Sequence, residues 1–411
     1  METILRNNPV FETLQQTELI SSFLQSAYQV GLPIAFWKLP NASNFHIAVS
    51  FSNNASIDKP NIEELPQGFI VAPFDTTRKP YFIKADLLYS SAERFPKEAF
   101  NATIYGSEAA KKRNKFWNVW EAELNAKQKS QERYHHKKSV KTQAEQSIYE
   151  ALVEKGIQKI TDGHYQKVVY ARNKAVSKPD DLHLGRTFKR LCEQFPSAFV
   201  SMVSLPEEGT WLGASPETLI EIKDKQFFRT VSLAGTQPKH LFNKVSEASW
   251  RQKEIEEQAL VSRYIINCFK KIRLREFAEV GPKTVAAGNL LHLKTDFLVD
   301  MEAVNFPQLG SVMLKLLHPT SAVCGMPRKE TMQDIIEHEG YDRQLYSGYL
   351  GPVNVNGNTD IFVNLRCMQV TDKELIFYAG AGITEDSEPE KEFLETEMKM
   401  DVMRKSVLGD G

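Results

Sequence analysis

Two segments far apart in the chain place carboxylates at helical spacing: "KEIEEQ", with Glu254 and Glu257, and "PEKEFLETEMK", with Glu392 and Glu395. At about 100° per residue, with Glu392 at zero, Glu390, Glu397 and Asp401 fall at roughly 140 to 180° and read as an ordinary solvent stripe. Glu395 and Lys399 fall at roughly 300° and 340°, on the opposite side, and can pair with each other at i, i+4. In the earlier helix Glu257 lies within roughly 40° of Trp250, Val261, Tyr264 and Cys268, in the middle of an apolar face, with Glu254 one turn back. Surface pairs on two unrelated helices are the plain reading. Four inward carboxylates without cations would repel one another, and a hard divalent ion held by oxygens and waters, most simply Mg²⁺, resolves that conflict.

Other residues invite chemistry one at a time. Lys167 in "YQKVVYA" alternates with Val169 and Ala171 and shares their sheet face. Exposed edge lysines are common, but on a covered face desolvation disfavours the charged form and frees a general base. Glu217 follows a Ser-Pro turn in "WLGASPETLIEI" at a strand end. There it is either an exposed turn residue or a shielded carboxyl that keeps its proton and donates it to a leaving group. Arg366 in "VNLRCMQ" reads as mid-strand, alternating with Asn364 and Met368, and needs an anion from the protein or a ligand. His292 and His318 each follow a Leu-Leu pair, the usual setting of a satisfied core histidine. "YAGAGITEDSEPE" matches a phosphate loop poorly, since the final glycine is missing and acidic side chains fill the first turn. A bound carboxylate against Gly380 or Gly382 is compatible with it.

These residues need elements to hold them. From "YQKVVYARNKAV" to "QFFRTVSLAGT" the chain gives strand-length runs with short turns, an antiparallel meander, followed by a helix from about Ser249. "SGYLGPVNV", "TDIFVNLRCMQVT" and "ELIFYAGAGIT" form a second meander, with Asn356-Gly357 as its first hairpin turn. A closing helix follows, with Ser387 as cap and Pro389 in its first turn. Sheets covered by helices in an α+β domain are the expectation. The charged run at 125–146 reads as an exposed connection or mobile helix.

The 411 residues are 42% hydrophobic and 25% charged with net charge -1, enough for a sizeable core and without the basic excess of a nucleic-acid or anionic-membrane binder. Cys192, Cys268, Cys324 and Cys367 are scattered, as suits reduced thiols. No signal-peptide core or membrane-length apolar run is present, so a cytoplasmic protein is expected.

"KVVYAR", "GASPE", "LAGT", "KEIEEQ", "HPTSAVCGMP", "LYSGYLGP", "VNLRC", "AGAGI" and "PEKEFLETEMK" occur in that order between residues 165 and 405. Together they closely resemble the chorismate-utilising enzymes, which include isochorismate, salicylate, anthranilate and aminodeoxychorismate synthases. The resemblance implies an α+β fold of layered antiparallel β-sheets covered by helices, as one large domain over 1–411. Its motif-bearing catalytic part is 160–405, and 1–145 is a more divergent N-terminal part. It also implies Glu257 and Glu395 as Mg²⁺ ligands, with Glu254 and Glu392 supporting metal-bound waters. Arg366, Gly382 and Lys399 would bind substrate carboxylates, while Gly235, Thr236, His292 and Tyr346 would line the ring pocket.

Family members that add ammonia resemble one another in having Gln where this chain has Lys167, and those that add water have Lys. Ala234 stands where aminodeoxychorismate synthase has a nucleophilic lysine. Both positions imply water as nucleophile, with Lys167 as base and Glu217 as acid, chorismate as substrate, isochorismate as product and no amidotransferase subunit. Salicylate synthase, which adds pyruvate elimination, is the nearest alternative. A non-catalytic aromatic-acid or phosphate-binding protein is the alternative of another class. Gln237, Gln258, Ser321 and Gln344 depart from the common pattern.

Overall fold

The computed structural model describes residues 14–52, 55–92, 107–125, 132–238, 242, 244–287 and 290–409. Its strands form two antiparallel sheets. The nine-stranded sheet runs, in spatial order, Gly325–Met326, Lys167–Ser177, Glu374–Ile383, Cys367–Val370, Gly209–Ser215, Phe199–Leu205, Ile34–Lys38, His46–Val49 and Leu87–Ser90. The eight-stranded sheet runs Ala278–Ala287, Leu290–Asp300, Phe227–Pro238, Thr218–Lys223, Thr359–Val363, Tyr349–Val353, Gly68–Ala72 and Tyr81–Lys84. N-terminal strands therefore complete both sheets: Ile34–Lys38 pairs with Phe199–Leu205, and Gly68–Ala72 with Tyr349–Val353.

Side chains alternate across each strand, so each sheet has one face for its partner and one for helices. Between the sheets sit Trp37, Phe69, Phe199, Trp211, Phe362 and Tyr378, all buried, with Phe199 and Phe362 stacked at 4.0 Å. Burying each such ring contributes about 2 to 3 kcal/mol. On the outer face of the nine-stranded sheet, helices Gln16–Val30, Leu184–Gln194 and Pro389–Leu408 cover Phe36, Met368 and Phe377. Helices Gln252–Lys271 and Leu309–Leu317 cover Phe228, Phe297 and Ile361 on the outer face of the other. The layers are helices, sheet, sheet, helices.

Neither meander stays in one sheet, contrary to the simplest reading of the short turns. Gly209–Ser215 and Thr218–Lys223 lie in different sheets, and so do Thr359–Val363 and Cys367–Val370. The two crossings bond to each other: Val363 N–H donates to the Glu217 carbonyl at 3.0 Å, and Ala214 N–H to the Arg366 carbonyl at 3.0 Å. Sheet switching is invisible in hydrophobic alternation, because a strand reads the same in either sheet. The Asn356-Gly357 turn forms as expected, with both residues at positive φ.

Two other expectations change. Of the run at 125–146 expected to be an exposed connection or mobile helix, 126–131 lie outside the described residues, and 132–145 is a non-helical connection that is exposed in part and anchored at several side chains. Tyr134 and His135 are buried, and Lys137 Nζ lies 2.8 Å from both Glu208 Oε2 and Gln344 Oε1. The N-cap position of the closing helix is Glu388, one residue after the expected Ser387 and without a capping side-chain hydrogen bond, with Pro389 in the first turn.

Candidate active site

Lys167 opens its strand and is 16% exposed, with Nζ 3.7 Å from Glu257 Oε1. It is an interior lysine, not an edge one. Its neighbour across the ladder is the strand of Gly382, where a Cβ would come within 2.9 Å of Lys167 Cε and 3.3 Å of its Nζ. Gly382 thus clears the space that the lysine side chain occupies.

Glu217 sits at the first crossing between the sheets. Its carboxyl accepts from Thr320 Oγ1 at 3.4 Å and borders a cavity, and the residue as a whole is partly buried. Burial pushes its pKa up to about 7, against smaller opposing effects of the Thr320 hydrogen bond and the Lys167 charge. A carboxyl so placed is a proton donor near neutral pH.

Arg366 sits at the second crossing with φ 48°, so the expected mid-strand placement is replaced by a left-handed turn before Cys367–Val370. Its guanidinium is largely enclosed and makes no salt bridge among the described residues. Burial lowers its pKa, opposed by the fields of Tyr346 and Glu395. A guanidinium so enclosed, with no carboxylate partner among the described residues, can receive an anion.

Gly235 forms a bulge opposite Leu290–Asp300 with φ 67°, a conformation natural to glycine. Its N–H donates to Glu257 Oε2 at 3.3 Å, and its carbonyl lies 3.1 Å from His292 Nδ1. A carbonyl only accepts, so Nδ1 carries the proton in this contact. Burial lowers the His292 pKa, opposed by its hydrogen bond to the Gly235 carbonyl. The Thr236 backbone pairs with His292; its side chain lies outside the described set. His318, by contrast, is a core histidine, meeting the Pro73 carbonyl at 3.1 Å, with burial pulling its pKa to about 4.

The four helix carboxylates each hold a protein partner. Glu254 accepts from the Arg251 N–H at 2.8 Å, Glu392 from Ser387 Oγ at 2.8 Å, and Glu395 pairs with Lys399 at 2.5 Å. Glu257 is shared between Lys167 and Gly235. Lys399 also donates to the Gly380 carbonyl at 2.8 Å. Glu257 acts electrostatically on His292, which also feels Arg366, and Arg366 in turn feels Glu395. No three His, Cys, Asp or Glu side chains converge on one point among the described residues. Magnesium does not require that, since it commonly takes one or two carboxylates and completes its shell with waters and ligand oxygens. Glu257 and Glu395, half exposed and held by exchangeable partners, fit such an ion in donor chemistry.

Glu397 departs from the expected wet stripe. It accepts from the fully buried Arg172 and pairs with Lys174 at 2.8 Å. The buried stripe of this helix is Thr396, Met400, Met403 and Val407, so Glu395 and Glu397 flank it from opposite sides.

The structure adds groups that motif reading passed over. Arg343 donates to Val323 O at 2.8 Å and Val169 O at 2.7 Å, tying the Lys167 strand to the loop of Thr320. Its partner Glu339 also takes the Ala171 N–H at 2.7 Å. The i, i+4 spacing in "EHEGYDR" was the available signal. Tyr346, already expected at the ring pocket, stacks on Tyr378 at 5.3 Å, and its hydroxyl would lie 3.3 Å from a Cβ at Gly380.

With this geometry in place, comparison with known proteins gives one consistent answer. The chorismate binding enzyme family matches residues 92–408, well over half the chain. The chain belongs to the chorismate-binding enzyme family. It is 30% identical over 266 residues to isochorismate synthase EntC of Escherichia coli K12, covering 63% of this chain and 66% of that protein. It is 28% identical over 285 residues to isochorismate synthase DhbC of Bacillus subtilis 168, covering 66% and 70%. The matches thus span about two thirds of these curated relatives. The solved structure of MenF, the menaquinone-specific isochorismate synthase of Escherichia coli, superposes with TM-score 0.71 at 20% identity, covering 94% of this chain and 91% of that one. That likeness shows the fold of this family member: two layered antiparallel sheets covered by helices in a single α+β domain.

Proposed function

We propose that this family member is an Mg²⁺-dependent isochorismate synthase that converts chorismate reversibly to isochorismate. The observation that carries the reading is the Glu217 carboxyl, hydrogen-bonded to Thr320 with its pKa pushed up to about 7 by burial and within the field of Lys167, at the junction that also bears Arg366, whose guanidinium makes no salt bridge among the described residues. Arg366 and Lys399 bind substrate carboxylates with Gly382 beside them, while Gly235, Thr236, His292 and Tyr346 line the ring. What a Mg²⁺ ion supplies when bound is neutralisation of the ring carboxylate; Glu257 and Glu395 would hold it, supported by Glu254 and Glu392.

Lys167 takes a proton from the water that forms the C2–O bond. The ring double bonds shift, the C4–O bond breaks, and Glu217 gives its proton to the departing hydroxyl, which leaves as water. The lysine ends with one proton more and the glutamate with one fewer, and solvent restores both. No amidotransferase subunit is needed, because water is the nucleophile and no ammonia has to be delivered.

Isochorismate would feed menaquinone or siderophore biosynthesis. A cytoplasmic setting suits the four cysteines, none of which is in a disulfide, and no helix among the described residues is long and apolar enough to cross a membrane. Incubation with chorismate and Mg²⁺, followed by chromatography, tests the reading. Isochorismate is the expected main product. Salicylate and pyruvate as main products would move the assignment to salicylate synthase, and unchanged chorismate would end the enzymatic reading.

A further inference from the structure

The Glu217 carboxyl borders a cavity of about 400 Å³ lined by the first crossing, strands Thr218–Lys223 and Phe227–Pro238, and helix Gln252–Lys271. Among the candidate site residues described, Glu217 alone lines it; Lys167, Arg366 and the four helix carboxylates do not. Asn41 and Ser197, which also line it, are both exposed, so the space communicates with solvent at those residues. Its wall is polar, with Lys223 and Asp360 paired at 2.7 Å. Ser321, beside the Thr320 that donates to Glu217, is 4% exposed and lines the cavity, yet its hydroxyl has no hydrogen-bond partner among the described residues. A buried hydroxyl in a polar, roomy space is normally met by water.

On the proposed reading, which this inference extends, the reaction takes up one water at C2 and releases another at C4. The released molecule forms at Glu217. If it stayed there, it would be the nearest nucleophile for the reverse reaction. We propose that the cavity is a dedicated water route serving Glu217: the hydroxyl leaving C4 exits through it as water, and in the reverse direction the water that attacks C4 enters through it. Atoms balance as before, with the C4–O bond broken, the proton supplied by Glu217 and the intact water carried to solvent past Ser321 and Ser197.

Chorismate carrying a heavy-oxygen label in its C4 hydroxyl tests the route with the full-length enzyme. As the reversible reaction proceeds, mass spectrometry reports how much label the recovered chorismate has lost per isochorismate formed. The wild type is expected to lose the label at nearly every reversal. Two variants away from the catalytic groups, Ser197→Trp at the rim and Val231→Phe in the wall, are expected to retain it several-fold more, with the chorismate to isochorismate ratio at equilibrium unchanged. Retention of the label by the wild type through many reversals overturns the route, as does label loss in both variants at the wild-type rate. A wild type that forms no isochorismate overturns the functional reading itself, which separates the two failures.

Discussion

Glu217 and the pair Glu257 and Glu395 are chemically identical groups at one site, put to different use by their surroundings. Glu217 lies at a crossing between sheets, shielded, with one hydroxyl donor and no cation in hydrogen-bond contact, and its pKa rises to about 7. Glu257 and Glu395 project from the second turns of helices, half exposed, each beside a lysine. Shielding favours the neutral acid at Glu217, whereas half-exposed carboxyls on helices leave oxygens open to a metal ion. One end of the site therefore offers a proton, and the other offers negative charge to a cation. Breaking this contrast from either end should give different kinetic signatures.

The largest effect is expected at the proton-transfer end. Glu217→Gln keeps the shape and removes the acid, and Lys167→Ala removes the base; each should lower kcat by about 10² to 10⁴-fold. Chorismate binding, measured by calorimetry, should persist in both, because neither group is needed to hold the substrate. A non-catalytic binding protein would show intact function in both variants. Since the acid must carry its proton, wild-type kcat should fall as pH rises through about 7. A flat profile to pH 9 would remove Glu217 from that role.

At the other end the expected signature is a shifted metal requirement. Glu257→Gln and Glu395→Gln should each raise the Mg²⁺ concentration for half-maximal activity about 10 to 100-fold, with much of kcat recovered at saturating metal. Unrecoverable loss at all metal concentrations would contradict a ligand role. Arg366→Met should leave kcat within reach of wild type but raise KM for chorismate about tenfold or more, since one charge-assisted hydrogen bond contributes about 1.5 to 3 kcal/mol.

How much of this contrast could be read beforehand depends on the kind of signal. Helical angles separated Glu392, Glu395 and Lys399 from the other acids of the closing helix, because a helix fixes its own periodicity. The same angles misassigned Glu397. Its partner Arg172 lies on a strand 225 residues away, and no local pattern encodes which helix will lie over it. Glu217 was visible as a strand-end carboxyl, but its shielding depends on the strand switching sheets there, which alternation cannot reveal. Arg366 was misplaced for the same reason. Lys137 and Glu208 were hidden altogether, since a charged run gives no sign that one of its lysines will meet a carboxylate 3% exposed.

The smallest expected effect follows from the same burial of Glu217, read through stability instead of rate. Its carboxyl holds a proton to about pH 7 in the native state, against an ordinary value of 4.5. The raised value means that its contribution to stability is fully present below about pH 4.5 and declines as pH rises toward 7, because the unfolded chain ionises first. Glutamine has no such loss. Water in the adjoining cavity tempers the penalty, so the advantage of Glu217→Gln over wild type should grow by about 1 kcal/mol between pH 5 and pH 8. Thermal denaturation at the two pH values checks this: the variant should gain on the wild type at pH 8 while having lost turnover at both. Parallel stability curves would mean that Glu217 is as well hydrated as Glu257 and Glu395, and the distinction between acid and ligand would then have to come from the bound substrate.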